Sequence, residues 1–287
     1  MKYVAYVCVS LLGAASLPSL LYPANTAKPV QKQVKVKFWD WDGCIAEDVH
    51  PMRQFLNAKN VMKTRREFWK ALWEAKISLA KIAFQSRWYG DSYDANGARL
   101  IGNWAHIKEI AKSSSTVEER ADDIIKALAI AKPYYKNIEK AQQAQKDGDL
   151  VIIMTNNDRP SLDAKLEYVN TKLKEAGKAP FEPNGRFCVG SDEQIDSFPS
   201  GKPDKGYYKK GLSYSKKLLK EKYPNIDIKT VQFGFIDDKA KYLAAFEKTA
   251  LEDGVKIDIV LCPNNEDAFA RNYDAVFGKL QEAQPQK

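Results

Sequence analysis

The sequence predicts an α/β protein: a doubly wound, mainly parallel, Rossmann-like sheet with a helical domain inserted after its first strand. Three observations carry this. Five short apolar runs have the length of strands: VKVKFWD (34–40), LVIIMT (150–155), RFCVG (186–190), VQFGFID (231–237) and IDIVLC (257–262). Every run after the first is reached through a helical pattern, and strands alternating with helices build a parallel sheet covered on both faces. The run VIIMT is apolar without a break, as a strand buried on both faces should be.

The elements follow in order. The chain opens on Lys2, an apolar run from Val4 to Tyr22 and small residues near Ala24 and Ala27. This is the pattern of a secretory signal peptide, so residues 1–27 are set aside from the fold and an exported, periplasmic or secreted protein is expected. The run also approaches the ~20 residues that span a bilayer, so an uncleaved membrane anchor is the alternative. A buried segment of a cytoplasmic protein is a third reading. After the first strand, residues 45–132 far exceed the dozen or so residues that a crossover needs. Phe68, Leu72, Ala75, Leu79 and Ile82 fall at helical spacing. Thr116 with Glu119 makes a capping box before VEERADDIIKALAIA. The core is therefore expected in 28–44 and 133–287, interrupted by a helical insertion. Pro133 introduces the helix YYKNIEKAQQAQKDG, closed by Gly148. DRPSLDAKLEYVNTKLKEAG, ended by Gly177, and PDKGYYKKGLSYSKKLLKEKY read as two more helices.

Composition narrows the function classes. The 287 residues suit one large domain or a core with a sizeable insertion. The net charge of +8 permits anionic partners, but the lysines are scattered over helices, so no nucleic acid is expected. Cys8 lies in the leader, which leaves Cys44, Cys188 and Cys262, an odd number without a C-x-x-C pair. That argues against both a disulfide framework and a zinc site. Neither His50 nor His106 stands in a ligand cluster.

Polar residues gather at the ends of the strands. The first run ends in Asp40 and Asp42, two apart and so on one side of a strand. The second ends in Thr155, followed by Asn156 and Asn157. Lys202 stands at a helix entrance in GKPDK, and the fourth run ends in Asp237 and Asp238. In a doubly wound sheet these ends converge. Carboxylates brought together repel at neutral pH, and a hard divalent cation with oxygen ligands, Mg²⁺, resolves the repulsion. A nucleophile, a metal, a hydroxyl donor and a fixed positive charge together suit a phosphoryl group.

The runs FWDWDGC, VIIMT, GKP and FGFIDD, in this order and context, resemble the haloacid dehalogenase (HAD) superfamily over about residues 34–262. Cys44 stands where that family commonly has Thr. The resemblance implies a HAD-like core with a helical cap in 45–132. It also implies hydrolysis of a phosphate monoester through an aspartyl-phosphate. Asp40 would be the nucleophile and a metal ligand, and Asp42 the general acid and base. Thr155 and Lys202 would bind the phosphoryl oxygens with help from Asn156, and Lys205 is the substitute for Lys202. Asp238 would bind the metal, directly or through water, Asp237 would assist it or orient Lys202, and the backbone carbonyl of Asp42 would be the additional metal ligand. The substrate would be a phosphorylated small molecule or phosphoprotein. A phosphotransferase using the same intermediate, or an exported binding protein that keeps the fold with little turnover, are the alternatives. Trp69, Trp73, Trp88, Tyr89, Tyr93 and Trp104 are expected in the cap's own core.

Overall fold

A computed structural model describes residues 34–49, 129–190 and 197–278, with Lys126. The leader, most of the expected cap with its aromatic residues and both histidines lie outside the described residues. The elements are β1 (Lys35–Trp39), α1 (Tyr135–Lys146), β2 (Leu150–Asp158), α2 (Arg159–Glu175), β3 (Gly185–Val189) and β4 (Ser197–Phe198). Then come α3 (Lys205–Lys222), β5 (Gln232–Asp237), α4 (Ala240–Glu252), β6 (Ile257–Leu261) and α5 (Glu266–Phe277). The sheet order is β4-β3-β2-β1-β5-β6, and every neighbouring pair is parallel. The expectation of a doubly wound, parallel α/β sheet is met.

Side-chain alternation sorts the strands into two cores. Val36 and Phe38 of β1 join Leu150, Ile152 and Met154 of β2 under α3 and α4, through Tyr207, Tyr208, Leu212, Tyr242 and Phe246. Trp39, Val151 and Ile153 point the other way, against α1, α2 and α5. With side chains of period two on strands and one stripe per helix, each face is closed by a separate apolar layer. Asp158 and Asp204 cap α2 and α3, accepting from the backbone N–H groups of Ser161 and Tyr207 at 3.0 Å each.

The strands differ from the apolar runs in two places. β2 continues three residues past Thr155, and all of Asn156, Asn157 and Asp158 are buried. Its register against β3 shifts between Met154 and Asp158. Such an irregularity re-aims side chains at the end of a strand. β4 has only two residues, too few to leave a pattern.

Strand order reverses at β1, where sequence moves to β2 on one side and β5 on the other. In open α/β sheets such a switch point, beyond the carboxyl ends of the strands, is where ligands bind. Residues 45–47 and 132–134 pair beside it. Ala46 pairs antiparallel with Pro133, the Glu47 N–H donates to the Lys132 carbonyl at 2.9 Å, and the Tyr134 N–H donates to the Ile45 carbonyl at 3.0 Å.

Candidate active site

Asp40 follows β1 directly. Its N–H donates to the Ile236 carbonyl at 2.8 Å, which extends the β1–β5 ladder by one residue and holds the two acid-bearing strand ends together. A tight turn follows, in which the Trp41 carbonyl accepts from the N–H groups of Ile45 and Ala46 at 2.9 and 3.1 Å. Gly43 sits in this turn at φ +82°, and a Cβ there would lie 2.5 Å from Asp238 Oδ2. Glycine is therefore required twice over: for the left-handed backbone and for the approach of Asp238.

Asp40, Asp237 and Asp238 form one cluster, each offering a carboxylate oxygen within 4.8 Å of the others. Lys202 reaches it from the loop before α3. Its Nζ lies 2.8 Å from Asp40 Oδ1 and 2.6 Å from Asp237 Oδ2, with the side chain 1% exposed. Lys205 goes elsewhere: it stands in the first turn of α3, 59% exposed, paired with Glu252. The cap residue Asp204 separates the two lysines, so one belongs to the loop and the other to the helix surface. Asn156 supports the loop, since its Oδ1 accepts from the Lys202 N–H at 2.6 Å. Gly201 makes room for that carboxamide, as a Cβ there would come within 2.3 Å of the same Oδ1.

Asp42, whose backbone carbonyl is the expected metal ligand, has its carboxylate outside this cluster. Its Oδ1 accepts from Lys165 Nζ and its Oδ2 from Asn157 Nδ2, both at 2.8 Å. A carboxylate with an ammonium on one oxygen and an amide on the other is held for a different task. Asn157 also donates to Thr155 Oγ1, from its backbone N–H at 3.2 Å and its side chain at 2.7 Å. Two donors on that hydroxyl oxygen leave its O–H as the group to give away. Thr155 is fully buried at the end of β2, and its carbonyl accepts from the Tyr207 hydroxyl at 2.6 Å. Lys165 and Asn157 had no role in the sequence reading. Lys165 was nonetheless detectable, for it lies among Leu162, Leu166 and Val169 on the apolar stripe of α2, where a solvated lysine does not belong.

The electrostatics show what the cluster lacks. Burial raises the Asp40 carboxyl well above the usual carboxylate range, and Asp237, Asp238 and Asp42 push it further against the opposing Lys202 ammonium. Burial also raises Asp238 to about 7, with Asp237 adding to it and Lys239 opposing. Lys202 would be lowered by burial, but Asp237 and Asp40 hold it well above the ordinary lysine value. All three groups favour their protonated forms, so the site is short of positive charge. Were all three carboxylates ionised beside the one ammonium, the formal charge would be −2, which a divalent cation would balance. Asp238 Oδ1 is in addition buried without a hydrogen-bond partner. A hard, all-oxygen donor set with one carboxylate oxygen unsatisfied fits Mg²⁺.

No family model and no curated protein matches this chain in sequence. Solved structures that resemble it include CbbY from Rhodobacter sphaeroides in complex with phosphate, at 14% identity over 81% of this chain and 88% of that one, with a TM-score of 0.39. A HAD-superfamily hydrolase from Ehrlichia chaffeensis matches at 11% identity over 80% and 88% of the two chains, with a TM-score of 0.34. A dehalogenase with an intermediate complex matches at 13% identity over 79% and 84%, with a TM-score of 0.39. These are likenesses of outline, and the chemistry has to be read from this chain's own residues.

Proposed function

We propose that the chain is a Mg²⁺-dependent phosphomonoesterase that works through an aspartyl-phosphate on Asp40. The observation that carries this reading is the buried contact of Asp40 with Lys202, inside a cluster of three carboxylates at the carboxyl ends of parallel strands. Mg²⁺ held by Asp40, Asp237 and Asp238 would supply the missing positive charge and bind a phosphoryl oxygen. The protein groups divide the remaining work. Lys202 neutralises charge on the phosphoryl oxygens while Asp237 fixes its ammonium, and Thr155 donates its O–H to the same group.

In the first step an Asp40 oxygen attacks phosphorus. The bond from phosphorus to the ester oxygen breaks, and that oxygen leaves with a proton from Asp42. In the second step Asp42, now a carboxylate, takes a proton from water. The water oxygen bonds to phosphorus, the phosphorus–Asp40 bond breaks, and inorganic phosphate departs with Asp40 restored. An acid two residues beyond the nucleophile favours this sequence over halide displacement, which has no leaving oxygen to protonate. Export through residues 1–27, a helical cap in 45–132 and a phosphorylated small molecule or phosphoprotein as substrate belong to the same reading.

The test is hydrolysis of para-nitrophenyl phosphate by protein lacking residues 1–27. Turnover is expected with Mg²⁺ and should fall to background in EDTA, returning when Mg²⁺ is added in excess. Turnover undiminished by EDTA would remove the metal from the reading.

A further inference from the structure

We propose that Lys165 is a positioning residue that, with Asn157, fixes the Asp42 carboxylate where it exchanges protons at the phosphoryl site. This rests on the phosphomonoesterase reading. Lys165 is 4% exposed, in the second turn of α2 on the face that packs against the sheet. Its Nζ lies 2.8 Å from Asp42 Oδ1 and 2.9 Å from Asn157 Oδ1. Because a lysine can only donate, Asn157 Oδ1 must face it, and the amide nitrogen is turned to Asp42 Oδ2 and Thr155 Oγ1. One amide thus joins the proton-exchanging acid to the hydroxyl that binds the phosphoryl group.

The arrangement has a cost that packing alone does not explain. A methionine or leucine at 165 would continue the apolar stripe of Leu162, Leu166 and Val169 without burying an ammonium. The ammonium is instead aimed, 123 residues away in sequence, at the acid two positions after the nucleophile. Asp42 has a partner on each oxygen, so rotation about its Cβ–Cγ bond would break two charge-assisted contacts together. Proton transfer depends on such fixing, since a carboxyl misplaced by about 1 Å loses on the order of 100-fold in rate.

The experiment is a double-mutant cycle of Lys165→Met and Asp42→Asn, assayed with Mg²⁺ on para-nitrophenyl phosphate and on glycerol 2-phosphate, with Asp40→Asn alongside. Lys165→Met should lower kcat by about 10- to 100-fold with KM little changed. The loss should be greater on the glycerol ester, whose leaving oxygen needs the proton more. In the Asp42→Asn background it should cost nothing further. Mg²⁺ affinity, read by calorimetry, should not change. Equal losses in both backgrounds would show that Lys165 acts independently of Asp42 and would overturn the proposal, as would an unchanged kcat. Lys165→Gln, which keeps a donor, replaces Lys165→Met in the cycle if the latter does not fold. Unchanged turnover in Asp40→Asn would instead remove the aspartyl-phosphate reading itself, and a parent protein that turns over neither ester counts against both.

Discussion

Lys202→Met is expected to abolish turnover and to destabilise the metal-free fold by about 3–5 kcal/mol, the usual cost of removing one member of a buried ion group. The reason is local. The Lys202 ammonium is shared by Asp40 and Asp237, at 2.8 and 2.6 Å, and neither the lysine nor Asp237 has appreciable exposure. Without it, two carboxylates face each other in a medium that solvates neither. Protonating one would be their escape, and that removes the nucleophile. Added Mg²⁺ should restore part of the stability but not the turnover, because it balances charge without reaching the phosphoryl oxygens from the Lys202 side. Lys205→Met, which breaks only an exposed pair with Glu252, should leave both properties unchanged. Guanidinium melts and steady-state rates of the two variants separate the roles. A Lys202→Met protein as stable as its parent would mean that the ammonium does not hold the acids together.

The second large effect is on the pH dependence of stability in metal-free protein. Asp238 has a folded-state pKa of about 7, above the value near 3.9 expected in the unfolded chain. Its neighbours are Asp237, Asp48, Lys239 and Lys202, of which the acids and burial outweigh the lysines. Between these two pKa values the folded state binds more protons than the unfolded state, so stability falls as pH rises through that window. Asp40 is raised as well and pulls the same way. The thermal midpoint in EDTA should therefore drop by several degrees between pH 5 and pH 8. Saturating Mg²⁺ should flatten or reverse the slope at the upper end, where the carboxylates are ionised and bind it best. A midpoint in EDTA that rises steadily to pH 8 would contradict the charge balance described for the site.

The core and its acids were legible in the sequence for different reasons. Strands buried on both faces leave unbroken apolar runs, and Ile152, Ile153 and Met154 are such a run. Acids at the ends of apolar runs stand out against them, which is how Asp40, Asp237 and Asp238 can be placed together from the sequence. The choice of Lys202 over Lys205 needed the fold, since it depends on which of the two precedes the cap of α3. The partners of Asp42 were hidden more deeply. Lys165 belongs to a helix whose apolar stripe it interrupts, and only the packing of α2 brings it to the turn after β1. Lys37 was hidden in the same way. In VKVKFWD it reads as a polar alternation, yet it is buried on the face of α5, 2.9 Å from Asp149 and 2.7 Å from the Tyr273 hydroxyl. Sequence patterns report how much of a residue is covered, whereas pairing between distant charges follows from the crossing of elements.

The most direct test of the central claim is the rate of Asp40→Asn against its parent, both lacking residues 1–27, on para-nitrophenyl phosphate in Mg²⁺. Asparagine keeps the shape of Asp40 and removes the nucleophile. The site described here predicts a folded variant with no turnover above background, beside a parent whose turnover EDTA abolishes. A folded Asp40→Asn protein that hydrolyses the ester at the parent's rate would mean that the phosphoryl group never passes through Asp40.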